Sequence, residues 1–352
     1  MGFLSDAEID SLRLARMSLH IVADDADFEP QPELPVEHDD FLLQILRDVA
    51  SDSIYRFADR SSTRDRIEEV ARRDIPFHEG AQALSSDFRR FHTGNMRDGA
   101  FFVFELGVAD ESTRIYALVK YDYSQALELV QREGATALRR IVEAFVSDKA
   151  SIQKAALVRT VDGVAEPGIS TRDRMGRPAP TLTSYFQDYL QVERERNDQD
   201  LTREVRDVVR TALQDNKEYL PRGGVAVGLA RALDVLRNAP EINEDVVRQA
   251  VWVGAGQPED ARVRGTLDTS VNRLVRRRRL EGVAFAPHQE GLPRSVRRQV
   301  QTEEGVTLEY NTALEGQAVR REEQPNGETR FVVTTRNYTD GVITERGRRP
   351  DR

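Results

Sequence analysis

Between Arg13 and Val22 the chain reads RLARMSLHIV, a mixture of apolar and polar positions that predicts a first β-strand, and the acidic, proline-containing stretch ADDADFEPQPELPVEHDD after it predicts an exposed loop. Phe41, Leu42, Ile45, Leu46 and Val49 then recur at spacings of three and four, which predicts an amphipathic helix opened by Asp39 and Asp40. Two more helices are expected at 62–73 and 81–92. The period changes at GAFFVFELGV and STRIYALVKYDY, apolar runs rich in β-branched and aromatic residues joined by the polar link ADE. They predict a hairpin of two buried antiparallel strands, with SIQKAALVRTV as a third strand.

Helical periodicity returns in TLTSYFQDYL and again in LTREVRDVVRTALQ, where Leu201, Val205, Val208, Val209 and Leu213 share one face. PRGG breaks this run, and short helices are expected at 225–236 and 243–253. DTSVNRLVRRRRLEG predicts a helix that starts at Asp268 or Thr269 and stops at Gly282. The tail holds three short alternating segments, with Asn326-Gly327 as a hairpin turn between two of them, and a frayed end. The expected fold class is α+β: an α+β domain with N-terminal helices and an antiparallel sheet at 1–190, a helical module at 191–256, and a basic helix with a small C-terminal β region at 257–352.

Composition adds a charge problem. The 352 residues carry a formal net charge of −9, yet residues 261–300 contain 10 arginines against 3 acidic residues, while 1–60 contain 14 acidic residues against 5 arginines. An anionic partner meets the local field rather than the total. Only Lys120, Lys149, Lys154 and Lys217 are lysines, an arginine bias better explained by a GC-rich genome than by function. No cysteine is present, which excludes disulfides, thiolate nucleophiles and cysteine-ligated zinc. No apolar run reaches the roughly 18 to 20 residues of a membrane span, and the acidic start MGFLSDAEID does not read as a secretory signal, so the expected compartment is the cytoplasm.

On a helical wheel Val271, Leu274 and Val275 form a core stripe, with Arg273, Arg276, Arg277 and Arg279 on the far side and Arg278 over the stripe. Arg262, Arg264, Arg294, Arg297 and Arg298 flank this run and extend its charge. Phosphate binding is one reading of the cationic face; the other is a solvated face neutralised by the acidic N-terminal region or by Glu303, Glu304, Glu322 and Glu323. Arg172, Arg174 and Arg177 form a second basic element, in a Gly- and Pro-containing loop that leads into a helix near Thr181. The aromatic residues Phe101, Phe102, Phe104, Tyr116, Tyr121 and Tyr123 have the composition of a base-stacking platform, but their place on buried strands makes core packing the better reading.

Enzyme signatures for nucleotide phosphates, zinc hydrolysis or a nucleophile elbow are missing, and the five histidines, His20, His38, His78, His92 and His288, show no metal spacing. Asp98, Glu105 and Lys120 superficially suggest a nuclease carboxylate–lysine set without its local spacing. The expectation is no catalytic residue, no metal and no cofactor.

The order of segments, the strand with His20, FLLQILRDV, GAFFVFELGV/RIYALVKYD, KAALVR and RDRMGRPAPTLTSYFQDYLQ, followed by the β-patterned tail, resembles the bacterial nucleoid-associated protein family of the NdpA/YejK type. The resemblance spans nearly the whole chain in order and texture. It implies a DNA-associated protein of the nucleoid without established catalytic residues, with topoisomerases among its implied partners, and with Arg174, Gly176 and Arg177 matching the basic-Gly-basic segment before the helix that holds Phe186 and Leu190. The acidic loop at 23–40 and the arginine run at 276–279 have no counterpart in that match.

Residues and resemblance together lead to one expectation. The protein is a non-enzymatic, largely sequence-independent binder of double-stranded DNA, a homodimer, contacting phosphates through Arg172, Arg174, Arg177, Arg273, Arg276, Arg277 and Arg279. The alternative is a DNA-sensing or protein-interaction adaptor of a phage-defence system, and a Mg²⁺-dependent nuclease ranks below both. In the adaptor reading the acidic loop mimics or repels nucleic acid.

Overall fold

Strand β1 (Arg13–Val22) forms where the alternating pattern predicts it, after a short helix α1 (Asp6–Ser11) whose N-cap Ser5 and Glu8 form a reciprocal capping box. The computed structural model describes residues 3–22, 28–37, 39–91, 99–122, 124–132, 135–144, 151–176, 178–221, 224–293, 297–311, 314, 318–335 and 337–338. Helix α2 (Asp39–Val49) follows, then strand β2 (Tyr55–Phe57) and helices α3 (Ser62–Ala71) and α4 (Phe77–Phe91). The expected hairpin is β3 (Gly99–Gly107) and β4 (Thr113–Tyr121), with nearly every residue buried.

A second hairpin, β5 (Ser124–Arg132) and β6 (Ala135–Ala144), has no counterpart in the sequence reading, and its strands pair with each other rather than with the main sheet. The third expected strand is β7 (Ile152–Val161), joined by β8 (Val164–Ala165) and β9 (Gly168–Asp173). Helix α5 (Ser184–Leu190) then leads into β10 (Val192–Arg194), so the charged stretch after α5 includes an edge strand.

The main sheet is antiparallel, in the order β1-β3-β4-β7-β9-β2-β10, with β8 added to β7. Both of its faces are covered, which is why β3 and β4 read as continuous apolar runs instead of alternating. Phe102, Phe104, Leu106, Ala117 and Val119 pack on one face with Leu43, Leu46 and Val49 of α2. Phe101, Val103, Leu118, Ala156 and Val158 pack on the other with Ile67, Phe77, Leu84, Phe88 and Phe186. Phe101, Phe102, Phe104, Tyr116 and Tyr121 are therefore core residues; Tyr123 lies outside the described residues.

The helical module comprises α6 (Asp198–Asp215), α7 (Gly224–Asn238), α8 (Glu244–Gly254) and α9 (Ala261–Arg277). Helix α9, which begins after the expected boundary at 256, packs on α6 and α8 through Leu267, Val271, Leu274 and Val275. Those residues belong to the same buried cluster as the helix-covered face of the sheet, so sheet and helices share one core. Close approach of α7 to α8 depends on two glycines: a Cβ on Gly228 would stand 2.8 Å from the carbonyl oxygen of Gly254.

The chain ends in two small hairpins, β11 (Arg297–Gln301) with β12 (Thr307–Asn311), and β13 (Val319–Glu323) with β14 (Thr329–Val333). The second turns at Gly327, with φ 85°, at the expected Asn-Gly position. The molecule is α+β, and among the described residues no helix is long and apolar enough to cross a membrane.

Candidate nucleic-acid interface

The arginine-bearing helix differs from its expected form at both ends. Asp260 accepts from the amide of Arg262 at 2.8 Å and starts α9 eight residues before Asp268, because the exposed Gly265 is tolerated inside a helix whose apolar stripe begins at Leu267. The helix stops at Arg277. Arg278 is the C-cap, and Arg279 adopts a left-handed conformation with φ 53°.

The stop is a Schellman motif. The amide of Leu280 donates to the carbonyl of Val275 at 3.1 Å, that of Arg279 donates to Arg276 at 3.1 Å, and the buried Leu280 side chain supplies the apolar contact. Arginine thus occupies the position where glycine is favoured. The wheel expectation fails here in a specific way: Arg278 does not lie over the core stripe, and Arg279 does not share the face of Arg273 and Arg276, because both lie beyond the last helical turn.

Arg196 fixes this turn from outside. Its guanidinium donates to the carbonyls of Arg278 and Arg279 and pairs with Glu204 of α6. The turn also docks on the segment after α2: the Asp52 carboxylate accepts from the amide of Glu281 at 2.7 Å, and the Asp52 amide donates back to the Glu281 carbonyl at 2.7 Å. Burial raises the Asp52 carboxyl to about 6, with the backbone hydrogen bond from Glu281 opposing the shift. Gly282, with φ 67°, permits the approach, since a Cβ there would lie 2.9 Å from the carbonyl oxygen of Ala50.

The arginines of the run separate into two groups. Arg273 pairs with Asp215 at 2.9 Å, and Arg276 pairs with Asp6 at 2.8 Å and Glu281 at 2.7 Å. These neutralising partners are not the Glu303, Glu304, Glu322 and Glu323 set. Asp6 does belong to the acidic N-terminal region, whereas among the described residues of the loop after β1 Glu33 pairs with Arg16. Arg277, Arg278 and Arg279 are exposed, and their guanidiniums form no ion pair among the described residues. Of the flanking arginines, Arg264 sits at the other end of α9, donating to the Pro258 carbonyl at 2.6 Å and lying 5.7 Å from the Trp252 ring. Arg294 lies outside the described residues, and Arg297 and Arg298 belong to β11.

The second basic element is a pinned loop. Lys154 Nζ lies 2.7 Å from Asp173 Oδ2 and 2.8 Å from Thr183 Oγ1, with 0% of either charged side chain exposed. Asp173 also accepts from the amides of Met175, Gly176 and Thr183, closing the loop against α5. The Lys154 ammonium stands 4.3 Å from the Tyr185 ring centre, and burial lowers its pKa while the Asp173 charge opposes that. A Cβ on Gly176 would reach 1.7 Å from the Thr181 carbonyl oxygen, so only glycine fits there. Arg172 and Arg174 are exposed on this frame, while Arg177 lies outside the described residues.

Two clefts bring the basic elements together. One, of about 1080 Å³, runs between α1 and the end of α9 and is lined by Arg159, Arg196, Arg278 and Arg279. The other, of about 360 Å³, is lined by Arg172 and Arg174 and by Gly282. Asp52 lines both, so the expected basic loop and part of the expected basic run flank one shared wall.

The nuclease-like set does not assemble. Glu105 is held by both guanidinium nitrogens of Arg73, at 2.9 and 2.6 Å, and pairs in register with Tyr116, whereas Lys120 pairs with Phe101. Four strand residues, about 13 Å, separate their levels. Asp98 lies outside the described residues. Among the described residues no group of three His, Asp or Glu side chains is placed to hold a metal ion.

Sequence reasoning missed Arg196, Asp52, Lys154 and Asp173. Lys154 carried a signal, as a rare lysine at the head of the apolar run KAALV, but nothing local announces that Arg196 or Asp52 meets the 278–282 turn. No protein-family model matches this chain, and a search of the curated proteins returns no match.

Proposed function

We propose that the protein binds double-stranded DNA largely independently of sequence, through phosphate contacts made by Arg277, Arg278 and Arg279 on one side of the Asp52 wall and by Arg172 and Arg174 on the other. The observation that carries this reading is Arg279: a non-glycine residue in the left-handed C-terminal position of α9, exposed and without an ion-pair partner among the described residues. Glycine would relieve the backbone there, so a cationic side chain at that strained position supports a role for the charge. Arg273 and Arg276, neutralised within the molecule, serve mainly to dock α9 on α6 and α1. The reading is non-enzymatic and associates the protein with the nucleoid.

Fluorescence anisotropy with a random-sequence duplex over a salt series tests it. Each phosphate contact contributes about −0.9 to the slope of log affinity against log salt. Arg277→Ala/Arg278→Ala/Arg279→Ala is expected to flatten that slope by about 2 to 3, and Arg273→Ala/Arg276→Ala to change it by less than about 1. Equal slopes for wild type and the triple variant would remove the arginine turn from the interface.

A further inference from the structure

The smaller cleft has the dimensions and lining of a nucleotide pocket. Its volume, about 360 Å³, falls in the range of small-molecule sites. One part of its wall is apolar, formed by Val49, Ile54, Ile152, Pro180, Val283 and Ala284. The remainder presents hydrogen-bonding groups with unused capacity. Thr171 is 8% exposed and its buried Oγ1 has no hydrogen-bond partner among the described residues. Asn243 uses Oδ1 to cap α8, accepting from the Val246 amide at 3.1 Å, which leaves its Nδ2 without a partner among the described residues. Arg174 is exposed at the rim, its guanidinium unpaired among the described residues.

The charges around the pocket favour an anion at the Arg174 side. Asp173 is satisfied by Lys154, Thr183 and the loop amides, and Asp52 by the Glu281 amide. Beyond the Lys154–Asp173 pair, the lining then holds Arg172 and Arg174 together with Glu241 and Asp52, the latter accepting a single amide hydrogen bond. An apolar slot with donors on its wall and a guanidinium at its mouth matches the parts of one nucleotide: a planar base with polar edges, and a phosphate. A continuous duplex keeps its bases stacked and cannot place one in a slot of this size, whereas an unpaired or terminal nucleotide can.

We propose that this pocket takes a single unpaired nucleotide, its base against the Val49–Val283 wall near Thr171 and Asn243 and its phosphate at Arg174, so that the protein engages DNA preferentially at ends or single-stranded positions. The proposal rests on the DNA-binding reading and adds to it the kind of DNA engaged.

The probes are a 3′-fluorescent tetranucleotide of thymidine carrying a 5′-phosphate, the same oligonucleotide without that phosphate, and a covalently closed duplex minicircle. Three forms of the full chain are compared: wild type, Ala284→Leu, which fills the slot from a half-buried position, and Arg174→Ala, a surface change that leaves the core intact. Thermal melting confirms that both variants fold. The phosphorylated tetranucleotide is expected to bind wild type at least ten-fold more tightly than the unphosphorylated one, and to lose at least ten-fold in affinity in both variants. Ala284→Leu is expected to retain minicircle binding with an unchanged salt slope. Minicircle binding with no saturable tetranucleotide binding, or tetranucleotide affinity unaffected by both substitutions, would overturn the pocket and leave the duplex reading standing. Tetranucleotide binding without minicircle binding would support the pocket and overturn the duplex reading. Failure to bind either probe would overturn both.

Discussion

Lys154 and Asp173 form an ion pair, 2.7 Å from nitrogen to oxygen, between adjacent strands under α5, with neither side chain exposed to solvent. Register extends this pair into a row across the sheet: His20 lies opposite Phe101, Phe101 opposite Lys120, Lys120 opposite Lys154, and Lys154 opposite Asp173. Ionisable groups thus occupy four of five positions at one level of the buried, helix-covered face. Removing one member of a buried pair leaves the other charge without its partner. Lys154→Met and Asp173→Asn are each expected to lower unfolding stability by about 3 to 5 kcal/mol. Urea titration measures both, and the double variant should lose less than the sum of the two. Asp173→Asn should in addition weaken DNA binding, because the loop carrying Arg172 and Arg174 hangs on that carboxylate.

Arg279 gives a prediction of opposite signs. Its left-handed backbone strains a residue with a Cβ by about 1 kcal/mol, a strain that glycine lacks. Arg279→Gly is expected to raise stability by roughly 0.5 to 1 kcal/mol while weakening duplex binding. Denaturation and anisotropy on the same preparation decide it. Unchanged binding would mean that the guanidinium does not contact DNA, whatever the stability shows.

Asp52 predicts a pH dependence. Its carboxyl is raised to about 6 by burial, so between about pH 4 and pH 6 the native state holds a proton that the unfolded chain has lost. The sign follows: this group's contribution is full below about pH 4 and is lost as pH rises through 6. Asp52→Asn retains an acceptor for the Glu281 amide and removes the buried charge. At pH 8 the variant is expected to be more stable than wild type by about 2 to 3 kcal/mol, a difference that shrinks toward pH 4. Thermal melts of both forms from pH 4 to 8 measure it.

His20 acts in the other direction. It is fully buried, stacks on Phe28 with ring centres 5.1 Å apart, and has no hydrogen-bond partner for either ring nitrogen among the described residues. Burial lowers its pKa to about 4, against an opposing pull from the Gln31 backbone. Its contribution is present above the unfolded value of about 6.5 and is lost as pH falls toward 4. His20→Phe, which keeps the stack, is expected to reduce the loss of stability between pH 6.5 and 4 by up to about 3 kcal/mol. A variant with the wild-type acid profile would show that His20 does not titrate with unfolding.

The parts of this fold legible in the sequence are those fixed by short-range periodicity. β1, α2, the β3–β4 hairpin and α6 follow from apolar spacing, and the β13–β14 turn follows from Asn326-Gly327. Helix α9 was legible in its stripe but not at its ends. Its true cap, Asp260, precedes a glycine that reads as a break, and its stop is set by a Schellman turn built on arginine instead of glycine. The arginine loop and the run were legible as charge, but which arginines are neutralised depends on partners distant in the chain, such as Asp6 for Arg276 and Asp215 for Arg273. Arg196 and Asp52 were illegible for the same reason: each meets the 278–282 turn only through tertiary packing.

The core shared by the sheet and α9 also has a geometric consequence. Arg174 follows strand β9 directly and Arg279 lies in the turn that ends α9, and both elements are anchored in one buried cluster. The spacing of the two backbone positions that carry these charges is therefore fixed. In the DNA-binding reading proposed above, such a frame would act like a caliper with its jaws locked, accepting only paths on which two phosphate groups, or a phosphate and a strand end, lie that far apart.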